Sequence, residues 1–266
     1  MSRQAARRPG LGILAVPTAV VVVVALLAGL GVVDVWVALA LVPVAAVVAG
    51  LGYVRGLRRF HQQRAEDVER LVATGRWTSF GGQGEPDVPG GVLSFPKGEP
   101  LASTVGHTFG GPVLRTRVDG REVWTLELGV QYRSGGTYSE TGAQVSGPTT
   151  PAEPYHLVLT HLDGDLGRVE VKASGVGDAV RSDVEVGVPE FDRAFTVRTQ
   201  SERTAKEWLA GGGGADLARQ GADALHGGRL RLDGSTLIWW RKGHQDLDLL
   251  DDVARLVARA GAFLPR

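Results

Sequence analysis

Two stretches free of Asp, Glu, Lys and Arg, residues 11–30 and 36–54, stand at the start of the chain. Each is about twenty residues long, enough for a helix to cross the ~30 Å hydrocarbon layer at about 1.5 Å per residue. Only Gly31-Val-Val-Asp-Val35 separates them, so the pattern predicts a transmembrane helical hairpin over residues 11–54. A cleaved signal is the competing reading of the first run. The run is longer than the roughly 7–15 residues of a signal core, and no small-x-small cleavage site stands at a polar boundary before the second run, which favours two true spans. Arg3, Arg7 and Arg8 precede the first run and Arg55, Arg58, Arg59 and Arg64 follow the second, whereas the turn carries only Asp34. Basic flanks stay on the cytoplasmic side, so both termini are expected in the cytoplasm of a bacterial cell, with residues 1–10 as a basic N-terminus. Small residues spaced four apart, Ala46 with Gly50 and Gly52 with Gly56, permit close helix packing, either within the hairpin or in a homo-oligomer.

Beyond the second run the period changes. Residues 55–75 carry sparse apolar positions (Phe60, Val68, Leu71, Val72) and read as a partly solvated juxtamembrane helix stopped near Gly75. Residues 76–91, rich in Gly and Pro, read as a linker, and 92–266 as a soluble domain. Within that domain Trp124, Leu126, Leu128, Val130 and Tyr132 alternate with polar or small residues, the period of two of a half-buried strand, and Asp119-Gly120 supplies a tight turn before it. Strands are also predicted at 155–162, 168–173 and 183–188, the first two as a hairpin across 163–167. A strand closes Phe191–Val197. A helix capped by Ser201 ends at the glycines 211–214, a second covers 215–226, a hairpin turns at Asp233-Gly234, and an amphipathic helix spans 246–260. Helices following an antiparallel sheet define an α+β domain.

Charge sharpens the division. The formal net charge is zero, yet residues 1–64 hold seven Arg and one Asp, a net of +6, and residues 65–266 hold 22 Lys plus Arg against 28 Asp plus Glu, a net of −6. The basic collar of Arg3, Arg7, Arg8, Arg55, Arg58 and Arg59 suits anionic lipid headgroups. The acidic remainder opposes a phosphate backbone, so nucleic-acid binding is not expected. The absence of cysteine excludes disulfides and thiolate chemistry.

Candidate chemistry is sparse. His156 and His161, five apart on one predicted strand, face opposite sides and cannot share a metal. No helical zinc motif, nucleophile elbow or phosphate-cradling glycine loop occurs in its required context, so no catalytic residue, metal site or cofactor is expected. On a strand Trp239 and Trp240 face opposite sides. One enters the core, and the other either lies under a second layer or forms, with Arg241 and Lys242, a contact for a partner or the membrane surface.

Phe191-Asp-Arg-Ala-Phe-Thr-Val-Arg198 and Leu230-Arg-Leu-Asp-Gly-Ser-Thr-Leu-Ile-Trp-Trp240, after two spans and a Gly-Pro linker, resemble a group of uncharacterised actinobacterial membrane proteins. That resemblance implies two N-terminal spans and a C-terminal α+β domain, and no activity. The expected function is a membrane-anchored cytoplasmic binding or scaffold module for an unknown protein partner. The alternatives are an accessory subunit of an envelope complex and a membrane-bound enzyme with an unrecognised site.

Overall fold

In the computed structural model, which describes residues 35–80, 104–109, 111–132, 153–175 and 184–264, the apolar run beginning at Trp36 is helical. Helix α1, Val35–Ala73, contains it, and the first run with residues 31–34 lies outside the described residues. In α1 the large apolar side chains Trp36, Val44, Val47, Val48, Leu51, Tyr53 and Val54 are exposed. Among the described residues no helix is long and apolar enough to cross a membrane. The helix closes at Thr74, whose Oγ1 donates to the Leu71 carbonyl at 2.6 Å, and at Gly75, whose φ of 72° is the left-handed geometry that ends helices. Two compact units result, Met1–Arg70 and Leu71–Arg266.

The second unit is a mixed α+β domain built on an antiparallel sheet. Its strands are β1 (Thr78–Phe80), β2 (Thr104–Phe109), β3 (Val113–Val118), β4 (Arg121–Tyr132), β5 (Glu153–His161), β6 (Arg168–Ala173), β7 (Phe195–Thr199), β8 (Arg229–Asp233) and β9 (Thr236–Lys242). They lie in the order β1-β3-β4-β5-β9-β8-β6-β7, and β2 pairs with the far part of β4. Between β6 and the end of the chain stand α2 (Pro189–Ala194), α3 (Glu202–Trp208), α4 (Gly214–Gln220) and α5 (Leu250–Ala262).

Several elements differ from expectation for identifiable reasons. The first residues of the expected linker 76–91 belong to the domain. Trp77 is 2% exposed and donates Nε1–H to Asp251 at 2.8 Å, and residues 78–80 pair with β3; the rest of that stretch, 81–91, lies outside the described residues. Strands β5 and β6 are not a hairpin, because the β8–β9 hairpin lies between them. The connecting residues 162–166 instead bond to its turn, Leu162 N–H to the Ser235 carbonyl (2.8 Å) and Leu166 N–H to the Gly234 carbonyl (3.0 Å). Residues 184–188 are not a strand. The Asp192 carboxylate takes the amides of Val186 (3.0 Å) and Gly187 (2.9 Å), which withdraws both from any strand ladder. The glycines 211–214 do end the helix that Ser201 caps: α3 closes at Trp208, Gly212 breaks the helical course with φ 121° and ψ −24°, and α4 starts afresh at Gly214. A Cβ at Gly213 would stand 2.9 Å from the Trp208 carbonyl oxygen. Helix α4 ends early, at Gly221 with φ 79°.

The register sorts side chains onto two faces. On the first, Thr125, Val158 and Trp239 form one cross-strand row and Glu127, His156 and Arg241 the next, and α5 packs on β3, β4, β5 and β9. On the second, Val113, Trp124, Leu126, Leu128, Val130, Tyr155, Leu157, Leu159, Ile238 and Trp240 form a buried cluster joined by Phe80. Following the same face across β8, β6 and β7, the row Trp124, Leu159, Ile238 continues as Arg231, Glu170 and Arg198.

Candidate functional site

That continuation is a hollow of about 270 Å³ lined by Arg168, Glu170, Arg198, Thr199, Gln200, Arg229 and Arg231. Alternation explains it. In Arg229-Leu-Arg231, in Arg168-Val-Glu170 and at Arg198 the charged positions share one side, while Leu230, Val169, Val171 and Val197 fill the core behind them. Arg231 and Glu170 are 4% and 6% exposed. Arg231 donates from Nε to Glu170 Oε2 at 2.8 Å and from Nη2 to the same oxygen. Arg229 donates Nη1–H to Glu170 Oε1 at 3.3 Å, and its guanidinium lies 4.9 Å from the centroid of the Trp240 ring. Arg168 Nε is 3.6 Å from Asp233 Oδ2. Arg198 is exposed. One carboxylate therefore serves two fixed guanidiniums, and positive charge is left in excess.

A second polar cluster lies on the helix-covered face. The amide of Asp246 donates to His156 Nδ1 at 3.3 Å, so Nε2 carries the proton toward Thr125 Oγ1, 3.1 Å away. Glu127, 4% exposed, accepts from His244 Nδ1 and from the Gln245 amide, both at 2.9 Å. Gln245 Nε2 donates to Thr125 Oγ1 at 3.1 Å. These groups are spent on fixing residues 244–246 ahead of α5, an anchoring role.

A wider hollow of about 530 Å³ is lined by Gly120, Arg121, Glu122, Trp124, His161, Leu162 and Ser235. Burial lowers the His161 pKa and raises that of Asp233, where Arg168 and Arg231 pull the other way. Among the described residues no group of three or more His, Asp or Glu is placed to hold a metal ion.

The residues singled out in the sequence fall as follows. Trp239 and Trp240 are both buried, at 0% and 6% exposure, which overturns the exposed-anchor reading of the pair. Trp239 donates to the Leu225 carbonyl at 2.9 Å under the helices, and Trp240 is covered by Tyr155, Arg229 and Arg231. Arg241 binds Asp246 Oδ2 at 2.8 Å, and exposed Lys242 reaches Glu153 Oε1 at 2.7 Å. Arg55, Arg58 and Arg59 are exposed on α1, whereas Arg3, Arg7 and Arg8 lie outside the described residues. Of the small-residue positions, Gly50 is exposed with nothing described within 4 Å of an added Cβ. Gly52 and Gly56 are half-buried, and the side chain of Ala46 is outside the described set. Sequence reasoning missed the arginine-lined hollow, because its signal, charged residues at alternate positions of three strands, means nothing until β8 and β7 are known to flank β6. The chain matches no known family model, no curated protein and no solved structure.

Proposed function

We propose that the chain is a membrane-anchored cytoplasmic binding module that recognises its ligand through the arginine-lined hollow. The observation that carries this reading is the hollow itself: charged side chains fixed by a buried carboxylate and an indole, built on strands rather than loops. Rigid placement of polar groups in a concave site is what binding demands. Anchoring is supported by the uncharged stretch 36–54, whose exposed Trp36, Val44, Val47, Val48 and Leu51 call for an apolar surrounding, and by the exposed arginines that follow. The resemblance to actinobacterial two-span proteins agrees with this arrangement. A second reading, an accessory subunit assembled through its spans, draws on Gly50, whose face is open among the described residues.

The chain has no native cysteine, so topology can be read by single cysteines at Asp34 and at Asp163, an exposed turn residue. With an impermeant maleimide on intact cells, labelling at 34 alone is expected. Labelling at 163 and not at 34 would place the domain outside the cell and refute the cytoplasmic reading. Recovery of both variants in the soluble fraction would refute anchoring.

A further inference from the structure

We infer that the hollow between β8, β6 and β7 is a site for a phosphate monoester, carried either by a small soluble molecule or by a lipid headgroup. The inference rests on the binding-module reading and gives its ligand a chemical class. The lining holds four arginines against one carboxylate, and counting Asp233 behind Arg168 still leaves an excess of two positive charges. This surplus occurs in a region, residues 65–266, whose net charge is −6. The arrangement is thus a local concentration of positive charge against the trend of the domain.

Three features favour a phosphate over other anions. A guanidinium is planar, always charged, and carries five donors. Arg231 has committed Nε and Nη2 to Glu170, and no ion pair holds Arg198 among the described residues. Several guanidiniums then line one opening, a concentration of positive charge and donors that suits the three terminal oxygens and double charge of a phosphate monoester better than the two oxygens and single charge of a carboxylate. The second feature is preorganisation. Glu170 is buried and shared, and Arg229 is pinned between it and the Trp240 ring, so little side-chain entropy remains to be lost on binding. The third is size. About 270 Å³ is room for one phosphate with a short substituent. Among the lining residues the carboxylate is spent on two arginines. Thr199 Oγ1 donates to the Arg168 carbonyl at 3.0 Å and accepts from the Ser201 amide at 2.9 Å. The lining is therefore suited to hold an ester rather than to cleave it.

Glycerol 3-phosphate and phosphatidic acid present the same headgroup chemistry from the two sources. The full chain is purified in detergent and titrated with glycerol 3-phosphate, glycerol and succinate by calorimetry. It is also reconstituted in phosphatidylcholine nanodiscs with and without phosphatidic acid, and its thermal unfolding is followed. Saturable binding of glycerol 3-phosphate and none of glycerol is expected, with succinate weaker by at least about tenfold. Arg198→Ala, at an exposed position that leaves the Glu170 cluster intact, should lose at least about tenfold in affinity with an unchanged unfolding midpoint in the absence of ligand. A midpoint raised by phosphatidic acid, and lost in Arg198→Ala, with no response to glycerol 3-phosphate, supports the site and assigns it to the lipid. Silence toward both sources, equal affinity for succinate, or full binding by Arg198→Ala would overturn the phosphate site. The cysteine labelling pattern reports separately on anchoring and the cytoplasmic placement of the domain, which stand if the phosphate site fails, whereas binding of succinate equal to that of glycerol 3-phosphate would keep the hollow as a binding site and remove only its phosphate specificity.

Discussion

His161 turns Nε2 into a spot closed to solvent and without a hydrogen-bond partner among the described residues, while Nδ1 lies 3.4 Å from Thr236 Oγ1. Burial lowers its pKa below the ordinary 6.5, against a smaller upward pull from the Ser235 backbone. Between the lowered value and 6.5 the unfolded chain binds more protons than the folded one, so stability rises with pH through that window and is lost as pH falls through it. Denaturation of the detergent-solubilised chain from above to below pH 6.5 should therefore show wild type losing more stability than His161→Gln; parallel profiles would contradict this. Asp233 acts in the opposite sense and at lower pH, because its raised pKa, chiefly from burial, adds stability on the acid side and loses it as pH rises. Glu170 and Arg231 make a different kind of test. Removing Arg231 leaves the buried Glu170 carboxylate with only the 3.3 Å bond from Arg229, so Arg231→Ala should cost at most about 3–5 kcal/mol. The double replacement Arg231→Met with Glu170→Met should unfold closer to wild type in a denaturant titration. An equal loss in both variants would show that packing, not charge, dominates there.

Among the elements, those whose pattern is local were legible. The strict alternation from Trp124 to Tyr132 and the positive-φ pair Asp119-Gly120 specify the β3–β4 hairpin, and Asp233-Gly234 specifies β8–β9. Illegible were the elements decided by distant partners. Three residues, Thr78 to Phe80, carry no periodicity, and they are a strand because β3 offers an edge and Trp77 finds Asp251 on the far side of the sequence. The hollow is of the same kind: Arg198 meets Glu170 in register across β6 and β7, a proximity that no local spacing encodes. A boundary drawn at Val92 would therefore cut into the core. Trp77→Ala should lower stability by about 3–5 kcal/mol, and a chain begun at Val92 should unfold at markedly lower denaturant than one begun at Leu71. Equal midpoints would show that β1 and Trp77 are dispensable.

For the molecule as a whole, the apolar run and the exposed Arg55, Arg58 and Arg59 of α1 fall within the unit Met1–Arg70, and the α+β domain falls within Leu71–Arg266. Helix α5 packs on one face of the sheet, and the hollow lies on the other, where strand order brings its lining residues together. That order places β8 and β9 between β5 and β6, so the last hairpin of the chain joins two ladders made earlier. During synthesis β3, β4 and β5 can zip as they emerge, and β6 can find β7, yet the two pieces stay apart until residues 229–242 appear. Such late, non-local closure slows folding and leaves strand edges unpaired in the interval. The nascent protein is accordingly most exposed to aggregation and to proteases just before residues 229–242 are made, and a premature stop at Gly228 should yield a product that cells degrade rather than a smaller working domain.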